Sequence, residues 1–134
     1  MKIKDKYNEL KLNNFTSIVL IKSGSFYITF DEDASILNYI FSYQINNSKV
    51  GFPLSSINKV KNVLDSKKIN YVVFADNNIE VFEKEDNCYA CYFNEAKKNE
   101  FNFSMNKMLI DRIKFLLNSD SENYIKIKRF IDEL

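Results

Sequence analysis

Three groups of side chains in this chain of 134 residues have the types and spacing that binding or bond chemistry needs. The first is the aromatic pair Phe26-Tyr27, set just past Gly24 with Lys22 shortly before it. The second is Asp31-Glu32-Asp33, three consecutive carboxylates that would in principle suit Mg²⁺. The third is Cys88-Tyr89-Ala90-Cys91, the spacing of metal-binding and redox thiols. Bond-making chemistry finds little support in any of them. The chain has no His, so neither a Ser-His-Asp nor a Cys-His relay can be assembled, and no carboxylate pair has a spacing that implies acid-base work. A zinc site built on the two Cys lacks its remaining ligands, because there is no His and no further Cys. Residues 87–93 read as a strand, in which positions three apart point to opposite faces, so Cys88 and Cys91 are expected to be buried structural thiols. The acidic triplet reads as a helix start, with Asp31 or Asp33 as its N-cap. No catalytic residue, metal ligand or cofactor is therefore expected.

The elements that must position these groups follow from periodicity. Residues 18–21, Ile-Val-Leu-Ile, lack alternation and suit a strand buried on both faces. Gly24 supplies a tight bend, after which Phe26, Ile28 and Phe30 fall on one face of the next strand and Tyr27 and Thr29 on the other. A short helix over 4–12 precedes this pair. A helix over 32–40 follows, with Ala34, Leu37 and Ile40 as its apolar side. A strand pair over 41–46 and 49–52 turns at Asn46-Asn47-Ser48. Ser55 or Ser56 caps a helix carrying Ile57, Val60 and Leu64, and strands over 70–75, 79–84 and 87–93 form a meander. Met105, Met108, Leu109, Ile113, Leu116 and Leu117 trace one helical stripe, and Tyr124, Ile127, Phe130, Ile131 and Leu134 a second. Ser119-Asp120-Ser121-Glu122 offers a capping box between them. The predicted architecture is an α/β (α+β) domain, a mixed β-sheet flanked by helices over 1–100 with a carboxy-terminal helical pair over 101–134. With 46% hydrophobic and 15% aromatic residues, disorder is excluded and a core rich in Phe and Tyr is expected.

The stretch from Ile18 to Ala34 resembles the amino-terminal mismatch-recognition domain, domain I, of the MutS family of DNA repair proteins. That family carries an apolar strand, then Gly-Asp-Phe-Tyr-Glu-Xaa-Phe, then an acidic pair before Ala. Gly24, Phe26, Tyr27 and Phe30 keep the pattern and Glu32-Asp33-Ala34 fall in register, whereas Ser25 stands where Asp is usual and Ile28 where Glu is usual. A second patch agrees in order and spacing. Gly51-Phe52-Pro53, the helix-like stretch through Lys68 and the strand-like residues 70–75 resemble the family's Gly-Ile/Phe-Pro segment, helix and strand. Together the two matches cover roughly residues 7–76.

The resemblance implies a stand-alone, non-catalytic DNA-binding domain. In MutS-like proteins the Phe inserts beside a mispaired base and stacks on it, while the Glu two residues on hydrogen-bonds that base. Strand parity explains the spacing, since positions two apart share a face and reach one groove together. Carried onto this chain, the resemblance implies Phe26 as the wedge, helped by Tyr27 and by Lys22, on duplex or mismatched DNA. Ile28 removes the hydrogen-bonding partner and leaves Phe26, Ile28 and Phe30 as a wholly apolar face, which puts base discrimination in question. The alternative is a protein-protein interaction module on the same fold, docking through that face or through the terminal helices.

Charge supports only local phosphate contact. The net charge is +1, but residues 57–75 are locally +3 and residues 76–100 locally −4, and Lys2, Lys4, Lys6 and Lys11 cluster at the amino terminus. No Gly-x-x-x-x-Gly-Lys-Ser/Thr occurs, so nucleotide binding is not expected, and DNA affinity without a clamp should fall near the 10⁻⁴ to 10⁻⁶ M of non-specific contact. No apolar leader and no run of 18 apolar residues is present, so no membrane association is expected and the cytoplasm is the expected compartment.

Overall fold

A computed structural model describes residues 2–134, apart from the side chains of 101–104. It divides into two compact units, residues 1–97 and residues 98–134. The first unit is built on a five-stranded mixed sheet in the order β3-β2-β1-β4-β5, from β1 (Ile18–Ser23), β2 (Phe26–Phe30), β3 (Lys49–Pro53), β4 (Tyr71–Ala75) and β5 (Asn78–Phe82). Only β1 and β4 run parallel, and every other pair is antiparallel. As a continuous apolar run predicts, Ile18, Val19, Leu20 and Ile21 are all buried, because the central strand is covered on both sides. Helix α1 (Ile3–Asn13) lays Tyr7 and Leu10 over Val19, Ile21 and Val72, with Phe30 and Phe74 at the margin. The other face carries Ile18, Leu20, Tyr71 and Val73 against α2 (Asp31–Phe41), α3 (Ile57–Ser66) and the first turns of α4 (Tyr89–Ser119). The second unit contains the rest of α4 and α5 (Ser121–Asp132).

Several sequence expectations are corrected. Residues 87–93 are not a strand, since α4 begins at Tyr89 and Cys88 and Cys91 lie at its start, half-buried and exposed respectively, not in the core. The signal was present: Tyr89, Tyr92, Phe93 and Ala96 recur at three, four and seven residues, the spacing of a helix face, and all four belong to the core on that side. Asn87 starts the helix, its side-chain oxygen accepting the amide of Tyr89 at 3.1 Å. Residues 41–46 are not a strand either. Helix α2 runs through Phe41 and ends on Ser42 at φ 61°, and the Asn38 side-chain amide donates to the Tyr43 carbonyl at 2.8 Å. The expected turn does form, with Asn47 and Ser48 both at positive φ. Neither Ser55 nor Ser56 caps α3 through its side chain; both lie in the 3₁₀ turn Leu54–Ser56 that leads into it. The α5 cap is Asp120, whose carboxylate accepts from the Glu122 amide at 2.9 Å.

Candidate nucleic-acid interface

Phe26 sits where the chain reverses most tightly. Ser23 pairs with Phe26, leaving Gly24-Ser25 as a two-residue hairpin loop, and Gly24 at φ +59° supplies the positive dihedral. A Cβ at Gly24 would meet nothing within 4 Å, so glycine is required there by backbone conformation and not by space. The Ser25 carbonyl accepts the Leu54 amide at 3.2 Å, which fastens the loop to the end of β3. Phe26 is therefore carried on a short, cross-braced tip, and the residue is 49% exposed.

Parity separates the residues that the sequence sets side by side. Phe26, Ile28 and Phe30 lie on the α1 face of the sheet, with Ile28 paired to Ile21 on one side and to Gly51 on the other. Tyr27 points to the opposite face. Its ring stacks on Phe52 (centroids 5.8 Å apart), Phe52 on Tyr43 (5.6 Å) and Tyr43 on Phe41 (5.2 Å), a four-ring column beneath the tip. Tyr27 thus braces β2 from below, and its ring is not presented beside that of Phe26. The two sequence patches are brought into direct contact, since Phe26, Tyr27 and Ile28 pair with Pro53, Phe52 and Gly51. Motifs about 25 residues apart in sequence form adjacent strands of one surface.

Cations approach the Phe26 face from α1. An open groove of about 300 Å³ is lined by Lys2, Lys6 and Lys22 over a floor that includes Ile21 and Phe74. Ile21 is the cross-strand partner of Ile28, so the groove adjoins the same apolar face two residues from Phe26. Lys6 lies over the Phe74 ring at 4.7 Å, and Lys4 lies over the Tyr7 and Phe30 rings and pairs with Asp31. Lys22 alternates with Phe26 in parity and reaches Asp76 at 3.3 Å. Two of the groove's ammonium groups thus have carboxylate neighbours, Lys22 with Asp76 and Lys6 with Glu9. These pairs are solvent-accessible and are worth little.

Asp33 is the residue whose role the sequence reading missed. It is fully buried and caps nothing: α2 starts directly from Phe30 with no side-chain cap. Its carboxylate accepts from the Val19 amide (3.0 Å), Tyr7 hydroxyl (2.8 Å), Tyr89 hydroxyl (2.6 Å) and Lys11 ammonium (3.1 Å). One side chain therefore joins α1, β1, α2 and the start of α4, locking the helix that carries the lysines onto the strand that leads to the hairpin. Burial pushes the Asp33 carboxyl above its ordinary value, while Lys11 and the three hydrogen bonds pull the other way. Burial likewise pushes the Tyr7 and Tyr89 hydroxyls well above theirs, reinforced by the Asp33 charge. With Asp33 enclosed by donors and Asp31 paired to Lys4, the acidic triplet is not arranged as a cation site. Among the described residues no group of three His, Cys, Asp or Glu is placed to hold a metal ion.

A family model described as MutS domain I matches residues 2–109. The chain belongs to the MutS domain I family. No curated protein matches it. The match covers the whole sheet unit, and the mixed sheet with flanking helices and a carboxy-terminal helical pair is the domain I-like α+β fold expected from the sequence. The chain is thus a mismatch-recognition-like domain. It departs from the MutS pattern at Ile28, whose neighbours on its face, Ile21 and Gly51, supply no carboxylate in compensation. No helix among the described residues is long and apolar enough to cross a membrane.

Proposed function

We propose that this domain binds duplex DNA non-catalytically, with Phe26 as a wedge that enters at weakened or mispaired steps. The observation that carries the reading is the half-exposed Phe26 ring at the end of a braced hairpin, on the same face as a groove lined by lysines. Inserting an apolar wedge costs a few kcal/mol of unstacking, least where pairing is already defective, and that difference provides selectivity with no hydrogen bond to the base. Ile28 then extends the stacking face and does not read a base edge. Tyr27 acts through its ring column, holding β2 in place beneath the wedge. Lys22, with Lys2 and Lys6, meets the phosphates beside the insertion point, each contact strengthened by counterion release. Neither nucleotide nor metal is needed, so the ATP-driven steps of repair lie outside this reading.

The test is binding to a matched duplex and to the same duplex with one mispair, across a range of salt concentrations, for the parent chain and for Phe26→Ala. The expected result is salt-dependent affinity near 10⁻⁴ to 10⁻⁶ M with a preference for the mispair. Phe26→Ala should remove that preference, a loss of roughly 1–3 kcal/mol, or about 5- to 150-fold. Salt-independent or absent binding, or an unaltered preference in the variant, refutes the wedge and favours a protein-interaction role.

A further inference from the structure

Gly51 is a glycine that the fold itself does not require. The chain has only two glycines, and Gly24 is needed for its positive φ. Gly51 lies inside β3 without a positive φ, and a Cβ there would meet the Tyr27 carbonyl and the Ile28 side chain at 3.7 and 3.8 Å, ordinary contact distances. A glycine within a strand gives up side-chain packing, and where the chain has no use for the space it marks a close approach by another backbone. The surroundings of Gly51 define what approaches. Along β3, Val50 and Phe52 are buried, whereas Lys49, Gly51 and Pro53 are exposed and stand opposite Phe30, Ile28 and Phe26 on the Phe26 face. Two bonds bracket the β2–β3 ladder, from the Leu54 amide to the Ser25 carbonyl and from the Asp31 amide to the Ser48 carbonyl. Hydrogen bonding alternates along an antiparallel pair, so Tyr27 bonds Phe52 and Thr29 bonds Val50, while the Gly51 N–H and C=O point away from β2. β3 is an edge strand, so those groups face open space. Its neighbours on that edge offer no free donor: the Lys49 amide bonds the Asn46 carbonyl at 3.0 Å, and Pro53 has no N–H. Among the described residues the Gly51 amide has no acceptor. Lys49 has no carboxylate partner among them either, unlike Lys22 with Asp76 and Lys6 with Glu9.

Resting on the duplex-binding reading above, we infer that Gly51 and Lys49 form a phosphate site for the DNA strand beside Phe26. The Gly51 amide donates to a phosphodiester oxygen and the Lys49 ammonium supplies the countercharge. Each part has a physical reason. An outward N–H on a sheet edge is an aligned donor, a charge-assisted bond to an oxyanion is stronger than a neutral one, and the missing Cβ lets the sugar-phosphate chain come within hydrogen-bond distance. The position suits the wedge. β3 flanks β2 on the side away from the groove of Lys2, Lys6 and Lys22, which lies over β1 and β4. Phe26 thus stands between two cationic places, as a side chain that enters a minor groove between two phosphate backbones must.

Because the chain has two glycines, labelling glycine alone with an NMR-active nitrogen isotope gives two backbone amide signals, Gly24 under the wedge and Gly51 beside it. Titration of the full chain with the matched or the mispaired duplex should move the Gly51 signal. Gly51→Val places a strand-favouring side chain where a Cβ fits, so the fold survives, as circular dichroism will verify, and affinity for both duplexes should fall about 10-fold. Lys49→Gln should reduce the slope of log affinity against log salt by about one. Phe26→Ala should remove the mispair preference and leave the Gly51 shift in place, so the wedge and the phosphate site are read separately. A Gly24 signal that moves with DNA while Gly51 stays still overturns the inference and leaves the wedge standing. The inference is also overturned if neither signal moves, if Gly51→Val binds as the parent does, or if inorganic phosphate alone moves Gly51 as far as the duplex.

Discussion

Replacing Asp33 by Ala should be among the most damaging single substitutions in the sheet unit, although the residue touches no ligand in the proposed interface. The carboxylate accepts four hydrogen bonds from inside the fold. Two of the donors have alternative acceptors: the single Tyr7 hydroxyl proton can turn to the Phe30 carbonyl, 2.9 Å away, and Lys11 also donates to the Ser17 carbonyl at 2.8 Å. The Val19 amide and the Tyr89 hydroxyl each donate to Asp33. Leaving two buried donors unpaired costs about 1–3 kcal/mol each, and the Lys11 ion pair is lost as well, so the total is about 4 kcal/mol. Against a folding free energy on the order of 5–15 kcal/mol, this is a large fraction. At roughly 3–4 °C per kcal/mol for a domain of this size, the melting temperature should fall by about 12–16 °C. Thermal unfolding followed by circular dichroism reads the shift, with Tyr7→Phe as a control that loses one acceptor contact and about 1 kcal/mol. A melting temperature for Asp33→Ala within about 3 °C of the parent would refute the claim that this carboxylate ties the layers together.

Alkaline stability, the diagnostic family position and the hairpin glycine give three further predictions. Tyr7 and Tyr89 ionise well above 10 in the folded chain and near 10 when unfolded. Their contribution is therefore intact below pH 10 and lost as pH rises beyond it, with a limiting slope of about 2.7 kcal/mol per pH unit for two protons; denaturant midpoints against pH, with the double Phe variant as reference, will measure it, and ionisation of both near 10 in the native protein would contradict it. Ile28→Glu restores the family carboxylate on the Phe26 face and should increase discrimination between mispaired and paired duplexes by about 1–3 kcal/mol, read by competition binding; no gain would mean that Phe26 does not bring Ile28 to the base. Gly24→Ala forces a side chain into positive φ with open space around it, so it should cost about 1–2 kcal/mol of stability in a denaturant melt with no change of fold, and a neutral effect would contradict the turn geometry.

The sequence made the sheet legible because its strands obey simple rules. Ile18 to Ile21 lack alternation as a doubly covered strand must, and the Gly24 bend and the Asn47-Ser48 turn fall where positive φ is found. Parity likewise puts Phe26 and Ile28 on one face, whereas the wedge role of Phe26 came only from the family resemblance. Other features depend on the assembled chain. Tyr27 and Lys22 are neighbours of Phe26 in sequence, but the ring column and the Asp76 pair that engage them come from β3, the segment after α2, and the turn after β4. Asp33 looks like any helix-start carboxylate until Tyr7, Lys11 and Tyr89 converge on it from as far as 56 residues away. The misread segment 87–93 is a conflict of periods, its aromatic residues suiting a strand by type and a helix by spacing, and the spacing prevailed.

Insertion of Phe26 into DNA is the central claim, and a 2-aminopurine placed beside a single mispair reports on it directly. Unstacking of the probe should raise its fluorescence when the parent chain binds, and under the same saturation Phe26→Ala should leave it near the level of free DNA. Equal fluorescence changes for the two proteins, or none for either at saturation, would contradict the account.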